Sequence, residues 1–338
     1  MSYLNEHFYL FCKKLDLPEE AVTVFEDTVK AIEGNAEYLE KFNKTYKEYM
    51  FPKAHDVGER LDELTALANE MGISEYTLHF VFFMICSEVL LERYKEENIS
   101  EDIYWESMMD MKYKFNECLD CKGVYGSFVA SWFDGFFRMM RYSMGRFQFE
   151  YSDFDREDYT TESGITIKKG EEVLGFHIPW SGVSLTDDVR IDSYKKAYEF
   201  FKEEHCRPDG LMIFKCGSWL LYKGHYDFLP EKSNVLRFMD DFIILESNEK
   251  EEFNDKIAEI KEYLMEECYK AESTARDYLN ALSECELLSI DGDTVTINIA
   301  ASLELEEDLE CVFSWCDYDS RAEDYRALKA EKIRCDAD

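Results

Sequence analysis

Basic residues are scarce in this chain. Over 338 residues, 38 lysines and arginines face 73 aspartates and glutamates, for a formal net charge of −35. A field of that sign repels phosphate backbones and anionic lipid, so the sequence predicts neither a nucleic-acid partner nor a membrane-surface role. Long apolar runs are missing too. The most apolar stretch, residues 80–86, is closed by Glu88 and falls far short of the ~20 residues that cross a bilayer; it predicts core. The opening Met1-Ser2-Tyr3-Leu4-Asn5-Glu6 has neither the basic stretch nor the apolar run of a signal peptide, so a cytoplasmic location is expected. The 11 cysteines are scattered without a framework, which fits reduced thiols. Cys118-Leu119-Asp120-Cys121 stands alone: no second CxxC or HxxxH follows to complete a zinc site, and it lies between helical patterns, so no metal is expected.

What the chain does have is core material: 46% hydrophobic and 15% aromatic residues, enough for about two domains at ordinary domain size. Residues 1–144 read as almost continuous helix punctuated at Gly34, Pro52, Gly58, Gly72 and Gly123. Pro18-Glu19-Glu20 marks a helix start, and Ser74 can cap a helix carrying Leu78, Val81, Phe82, Ile85 and Val89 at helical spacing. Phe128, Trp132, Phe136 and Met139 predict a further buried helix face.

The period changes at Gly145. Arg146-Phe147-Gln148-Phe149-Glu150 alternates as a strand with one buried face. Residues 164–168 and 173–177 read as two strands joined by a turn containing Gly170. Thr186 predicts a helix cap ahead of Ser193, Ala197, Phe200 and Phe201; residues 211–216 predict a strand; Ser233 starts another helix. A long charged amphipathic helix is expected over 253–282, able to dock on its own chain, a second copy or a partner protein, and a strand over 294–299. The fold class is therefore α+β: an all-α domain over 1–144, then a mixed α/β domain over 145–338 with a helical insertion at about 250–283.

Several blocks in the second half resemble a bacterial family of two-domain acyltransferase-domain proteins, in which a helical N-acyltransferase N-terminal domain precedes a GNAT-like C-terminal domain. The blocks are Gly145-Arg146-Phe147-Gln148-Phe149-Glu150, then His177-Ile178-Pro179, then Ser193, Ala197 and Phe200-Phe201. Cys216-Gly217-Ser218-Trp219-Leu220-Leu221, Leu229-Pro230 and Ser233-Asn234 before Phe238 complete the order. Two features depart from the pattern. Tyr222-Lys223 stands where the family has Asp-Pro, and the superfamily's Gln/Arg-x-x-Gly-x-Gly/Ala phosphate loop is not found. The resemblance implies a sheet that splays to admit acyl-coenzyme A, and transfer of its acyl group to a small amine or hydroxyl acceptor. A surface this acidic would attract a cationic acceptor.

Within that chemistry each candidate has two readings. Glu150 at a strand end can act as base, or be one of many solvated acids. His177 closes a strand and titrates in a useful range, or is a hydrogen-bonded structural histidine. Cys216 and Ser218 flank Gly217 at a strand end; Cys216 can pair with His177 as a nucleophile if the two strand ends are neighbours, or be a small buried hydrophobe. Tyr222 is a candidate leaving-group acid. Ser181, Gly182, Val183 and Ser184 join a strand to a helix N-terminus, where free N–H groups can meet a pyrophosphate, although Asp187 and Asp188 oppose it. Arg146 and Gln148, read on one strand face, can bind a carboxylate or phosphate or pair with the surplus acids. A non-catalytic scaffold with the same fold, and a thioesterase using Cys216 or Ser218 with His177, are the competing functions.

Overall fold

The computed structural model describes residues 2–51, 56–223, 225–229, 232–245, 288–291 and 294–297. Six helices come first: α1 Glu6–Lys14, α2 Glu19–Gly34, α3 Ala36–Met50, α4 Val57–Met71, α5 Glu75–Glu96 and α6 Glu101–Lys122. Side chains that prefer to bond backbone amides start them: Asn5 accepts from Phe8 N, Asn35 from Glu37 N, Asp56 from Glu59 N and Ser100 from Asp102 N. Gly72 and Gly123 end α4 and α6 at φ of 68° and 64°, where a side chain would be strained. The predicted core run lies at the centre of α5, where residues 77–87 are all buried. A helix apolar on every side belongs inside a bundle, and α1, α2, α3, α4 and α6 all pack against α5. Phe25, Phe80 and Phe115 interlock there, as do Tyr49, Phe82, Phe83 and Phe137. Each such fully buried phenylalanine contributes about 2–3 kcal/mol.

The stretch after Gly123 differs from expectation. Instead of one helix through Phe128, Trp132, Phe136 and Met139, a 3-10 turn at Ala130–Phe133 runs into the four-residue α7, Asp134–Phe137. The buried aromatics are Phe133, Phe136 and Phe137, with Trp132 only half-buried. Met139 takes φ of 56°, which breaks the helix and turns the chain into a strand.

That strand is β1, Arg141–Met144, ahead of the predicted change at Gly145. It pairs antiparallel with β2, Phe147–Asp153, through the two-residue turn Gly145-Arg146, with Gly145 at φ of 68°. β3 Tyr159–Thr160 and β4 Thr166–Ile167 form a separate small ribbon. Residues 166–167 therefore do not pair with β5, Glu172–His177, as expected; β5 pairs with β2 instead. The ladder continues past Asp153 through Phe154, whose N–H donates to Glu171 O while its carbonyl accepts from Gly170 N, and this captures β5. After α8, Asp187–His205, comes β6, Phe214–Lys215, parallel to β5, for a sheet order of β1-β2-β5-β6.

Alternation splits this sheet into two unlike faces. Tyr142, Phe147, Phe149 and Phe176 make an aromatic face packed with Tyr194 and Phe201 of α8. Ser193 of α8 anchors the hairpin, accepting from Phe147 N and donating to Met144 O. The opposite face carries Arg141, Ser143, Gln148, Glu150 and His177. It meets α6, where Ser107 Oγ accepts from Ser143 N at 3.0 Å and Asp110 Oδ1 accepts from Gln148 Nε2 at 2.6 Å.

Described residues up to 181, together with 189–216, make one compact unit; 182–188 and the described residues from 217 onward make a second. The second contains a 3-10 turn at Trp219–Leu221, α9 His225–Phe228, α10 Asn234–Met239 and a hairpin of β7 Leu288–Asp291 with β8 Thr294–Ile297. Ser233 caps α10 by accepting from Val235 N, as expected. The expected strand over 294–299 is β8 over its first four residues; its remainder and the expected helix over 253–282 lie outside the described residues. No described helix is long and apolar enough to cross a membrane.

Candidate functional site

The polar sheet face brings Glu150 and His177 together. Across β2 and β5, Glu150 is opposite Gly175 and His177 is opposite Gln148, so the two side chains sit on a diagonal of one face. A Cβ at position 175 would lie 2.9 Å from Glu150 Cγ. Glycine there lets the glutamate lie across the neighbouring strand, and its Oε1 reaches to 3.1 Å from His177 Nε2.

The other carboxylate oxygen is held from β1. Arg141, directly opposite Glu150, donates from Nε to Oε2 at 2.7 Å, and its Nη2 lies 2.6 Å from the same oxygen. Arg141 Nη1 donates to Trp132 O at 2.9 Å, and the guanidinium carbon lies 3.6 Å over the Trp132 ring. That ring also meets His177 edge-on, with centroids 4.9 Å apart. Burial alone would raise the Glu150 carboxyl; the His177 contact and the charge and hydrogen bond of Arg141 outweigh it and hold the group at about 2. Glu150 is thus a fixed anion, a poor proton acceptor but a good partner for an imidazole N–H. His177 Nε2 is buried beside Oε1, but no described residue is aligned to hydrogen-bond it.

The other sequence candidates fall elsewhere. Arg146 and Gln148 do not share a strand face: Arg146 occupies the hairpin turn and donates to Pro179 O at 2.6 Å, while Gln148 is buried on Asp110. Cys216 follows β6. Lys215 is opposite Gly175 on the Glu150 face, so alternation sends Cys216 to the other face from His177. Its thiol is pushed up to about 12 by burial alone, with no contribution from an imidazole. Ser218 Oγ accepts from Leu220 N and caps the 3-10 turn. The Tyr222 ring meets the His225 ring edge-on, centroids 5.6 Å apart. In the strand-to-helix loop, Ser181 N donates to Pro179 O; Gly182, Val183 and Ser184 are exposed, and Ser184 Oγ accepts from Asn234 Nδ2. Asp187, one of the two acids at the start of α8, lies 3.3 Å from Arg237. Among the described residues no cluster of His, Cys, Asp and Glu is arranged to hold a metal ion.

Arg141 and Trp132 are the residues sequence reasoning missed. The signal was there: Arg141-Tyr142-Ser143-Met144 alternates ahead of Gly145-Arg146, two alternating runs around a two-residue turn.

Residues 6–139 match the N-acyltransferase N-terminal domain, and residues 141–289 match the GNAT-like C-terminal domain. The chain belongs to the class of two-domain proteins that join these, with an acyltransferase fold. Among solved structures, an acyltransferase mutant in complex with octanoyl-CoA is 18% identical over 73% of this chain and 72% of that one, with a TM-score of 0.52. An acyltransferase in complex with decanoyl-CoA and teicoplanin is 17% identical over 74% and 83%, with a TM-score of 0.44. No curated protein matches the chain.

Proposed function

We propose that the protein is an acyltransferase that moves an acyl group from acyl-coenzyme A to a small amine or hydroxyl acceptor, with His177 as general base. The observation that carries this reading is the Arg141–Glu150–His177 line on the polar face of a GNAT-like sheet. His177 Nε2 lies 3.1 Å from Glu150 Oε1 and is not aligned to bond it; a turn of the imidazole that sets Nε2–H on that oxygen presents the Nδ1 lone pair. The acceptor nitrogen or oxygen attacks the thioester carbonyl, its proton passes to Nδ1, and the C–S bond breaks to release the coenzyme A thiolate. Glu150, expected from sequence as a base, here stabilises the imidazolium formed in that step.

The thioester arm would run along β5 and β6, which pair in parallel at Leu174–Phe214 and Gly175–Lys215. The loop over Ser181, Gly182, Val183 and Ser184, leading to α8, remains our candidate for the pyrophosphate, with Arg146 holding the loop's first carbonyl at Pro179.

The test is thiol release from octanoyl-CoA with a panel of amine and hydroxyl acceptors. His177→Ala should lower turnover by about 10²–10⁴-fold. No coenzyme A binding at millimolar ligand, or an unchanged His177→Ala rate, would sink the reading.

A further inference from the structure

We propose that Arg141 is the positioning residue of this site: it locks the Glu150 carboxylate so that one oxygen faces His177 Nε2 and the imidazole stays in the tautomer that presents Nδ1. This rests on the function proposed above. A carboxylate touched only by an imidazole can rotate about its terminal torsion and swap oxygens. Here Oε2 is taken by Nε and Nη2 of Arg141, 2.7 Å and 2.6 Å away, which leaves Oε1 for His177.

The guanidinium is itself fixed. Its Nη1 bonds Trp132 O, its plane rests on the Trp132 ring at 3.6 Å, and the side chain is 9% exposed. Arg141 therefore reaches His177 by two routes, through Glu150 and through the tryptophan whose edge meets the imidazole. Two glycines on different elements make room for the pair. A Cβ at 135 would fall 2.9 Å from the Arg141 guanidinium carbon, and one at 175 would fall 2.9 Å from Glu150 Cγ.

Other uses of Arg141 fit less well. An arginine that recognises a phosphate or a substrate carboxylate must offer its fork to the ligand. Here the Nε and Nη2 edge is already on Glu150, and Nη1 already donates to a carbonyl.

The experiment compares wild type with Arg141→Gln, Arg141→Lys and Gly135→Ala, each first shown to be folded by circular dichroism and thermal melting. Nitrogen-15 NMR of the imidazole reads the His177 tautomer without substrate, and steady-state kinetics reads kcat and KM across pH. For Arg141→Gln the expected result is a mixed tautomer, kcat lower by about ten- to a hundredfold and KM within about twofold. The acid limb should move up in pH, because losing the guanidinium charge favours a proton on the Glu150–His177 pair. Arg141→Lys keeps the charge without the fork, so it should restore the acid limb but not the full kcat. Gly135→Ala should lower kcat with the arginine still present. A wild-type tautomer and pH profile in folded Arg141→Gln would overturn the proposal, leaving only a structural ion pair. A rise in KM at constant kcat would overturn it in favour of substrate binding. Full turnover by His177→Ala, measured in parallel, would instead reject the acyl-transfer reading and Arg141's role with it.

Discussion

Asp110 offers the sharpest test of how the sheet is joined to the helices. It is 1% exposed on α6, and its Oδ1 accepts from Gln148 Nε2 at 2.6 Å. Its Oδ2 and the Gln148 Oε1 are both buried, and neither has a hydrogen-bond partner among the described residues. One donor between these two acceptors would satisfy both, and we propose that a proton on Oδ2 is that donor, which would close an acid–amide ring. Burial raises the Asp110 carboxyl, against the lowering effects of Lys114, the Gln148 bond and Arg141; Glu117 raises it further. A raised folded-state pKa means that the native protein keeps this proton after the unfolded chain has lost it. Stability should therefore fall by about 1.4 kcal/mol per pH unit as pH climbs from the ordinary aspartate range to the folded value, and then level off. Asp110→Asn replaces the O–H by an N–H donor, so it should stay within about 1 kcal/mol of wild type at the acid end of that window and lack this slope. Asp110→Ala strands both ends of the amide and leaves a hole, at a cost of about 2–4 kcal/mol. Urea denaturation across pH gives all three values, and infrared spectroscopy should show a protonated-carboxyl band that persists above the ordinary aspartate range and that Asp110→Asn removes. A wild-type-to-Asn difference that does not change with pH, or the absence of that band, would mean an ionised Asp110 bridged by water and would refute the reasoning.

Three further outcomes follow from the same face of the sheet. Glu150, held at about 2 against an ordinary value of 4.5, contributes stability that is fully present above the ordinary range and lost as pH falls toward 2; Glu150→Gln should flatten acid unfolding, followed by circular dichroism, in that window. Gly175→Ala must displace the Glu150 side chain from its 2.9 Å approach, so a stability cost of about 1–3 kcal/mol should come with a loss of turnover larger than a remote mutation of equal cost produces. Cys216, with its thiol pushed up to about 12, should resist iodoacetamide at neutral pH while exposed Cys121 is labelled, and Cys216→Ala should retain turnover; labelling mapped by mass spectrometry and a rate assay check the two halves.

The helical half was legible because its signals are local. The start at Pro18-Glu19-Glu20, glycine stops at 72 and 123, and an apolar run too short for a membrane each act within a few residues, although Ser74 precedes α5 without a side-chain capping bond. The stretch 128–139 misled for the opposite reason. Its aromatic spacing is helical, but the positive φ at Met139 turns the chain out of the helix and Arg141 packs back against Gly135, neither of which apolar spacing encodes. Beginning the strands at Gly145 rather than Arg141 then hid the arginine that matters and promoted Arg146, which sits in a turn.

His177 and Glu150 were both visible as residues, yet not as a pair. They are separated by the small β3–β4 ribbon and brought together by a register in which Glu150 faces a glycine and His177 faces Gln148. A slip of one residue would turn the whole polar row of β2 to the aromatic side, so the site exists only because Phe147, Phe149 and Phe176 fix the register from the other face. The aromatic packing on α8 is thus what holds the candidate chemistry in line. A core substitution such as Phe149→Ala should consequently lower turnover of the folded fraction as well as stability, whereas an equally destabilising change in the bundle, such as Phe25→Ala, should lower stability alone. Equal turnover per folded molecule in the two variants would show that the register does not depend on the aromatic face.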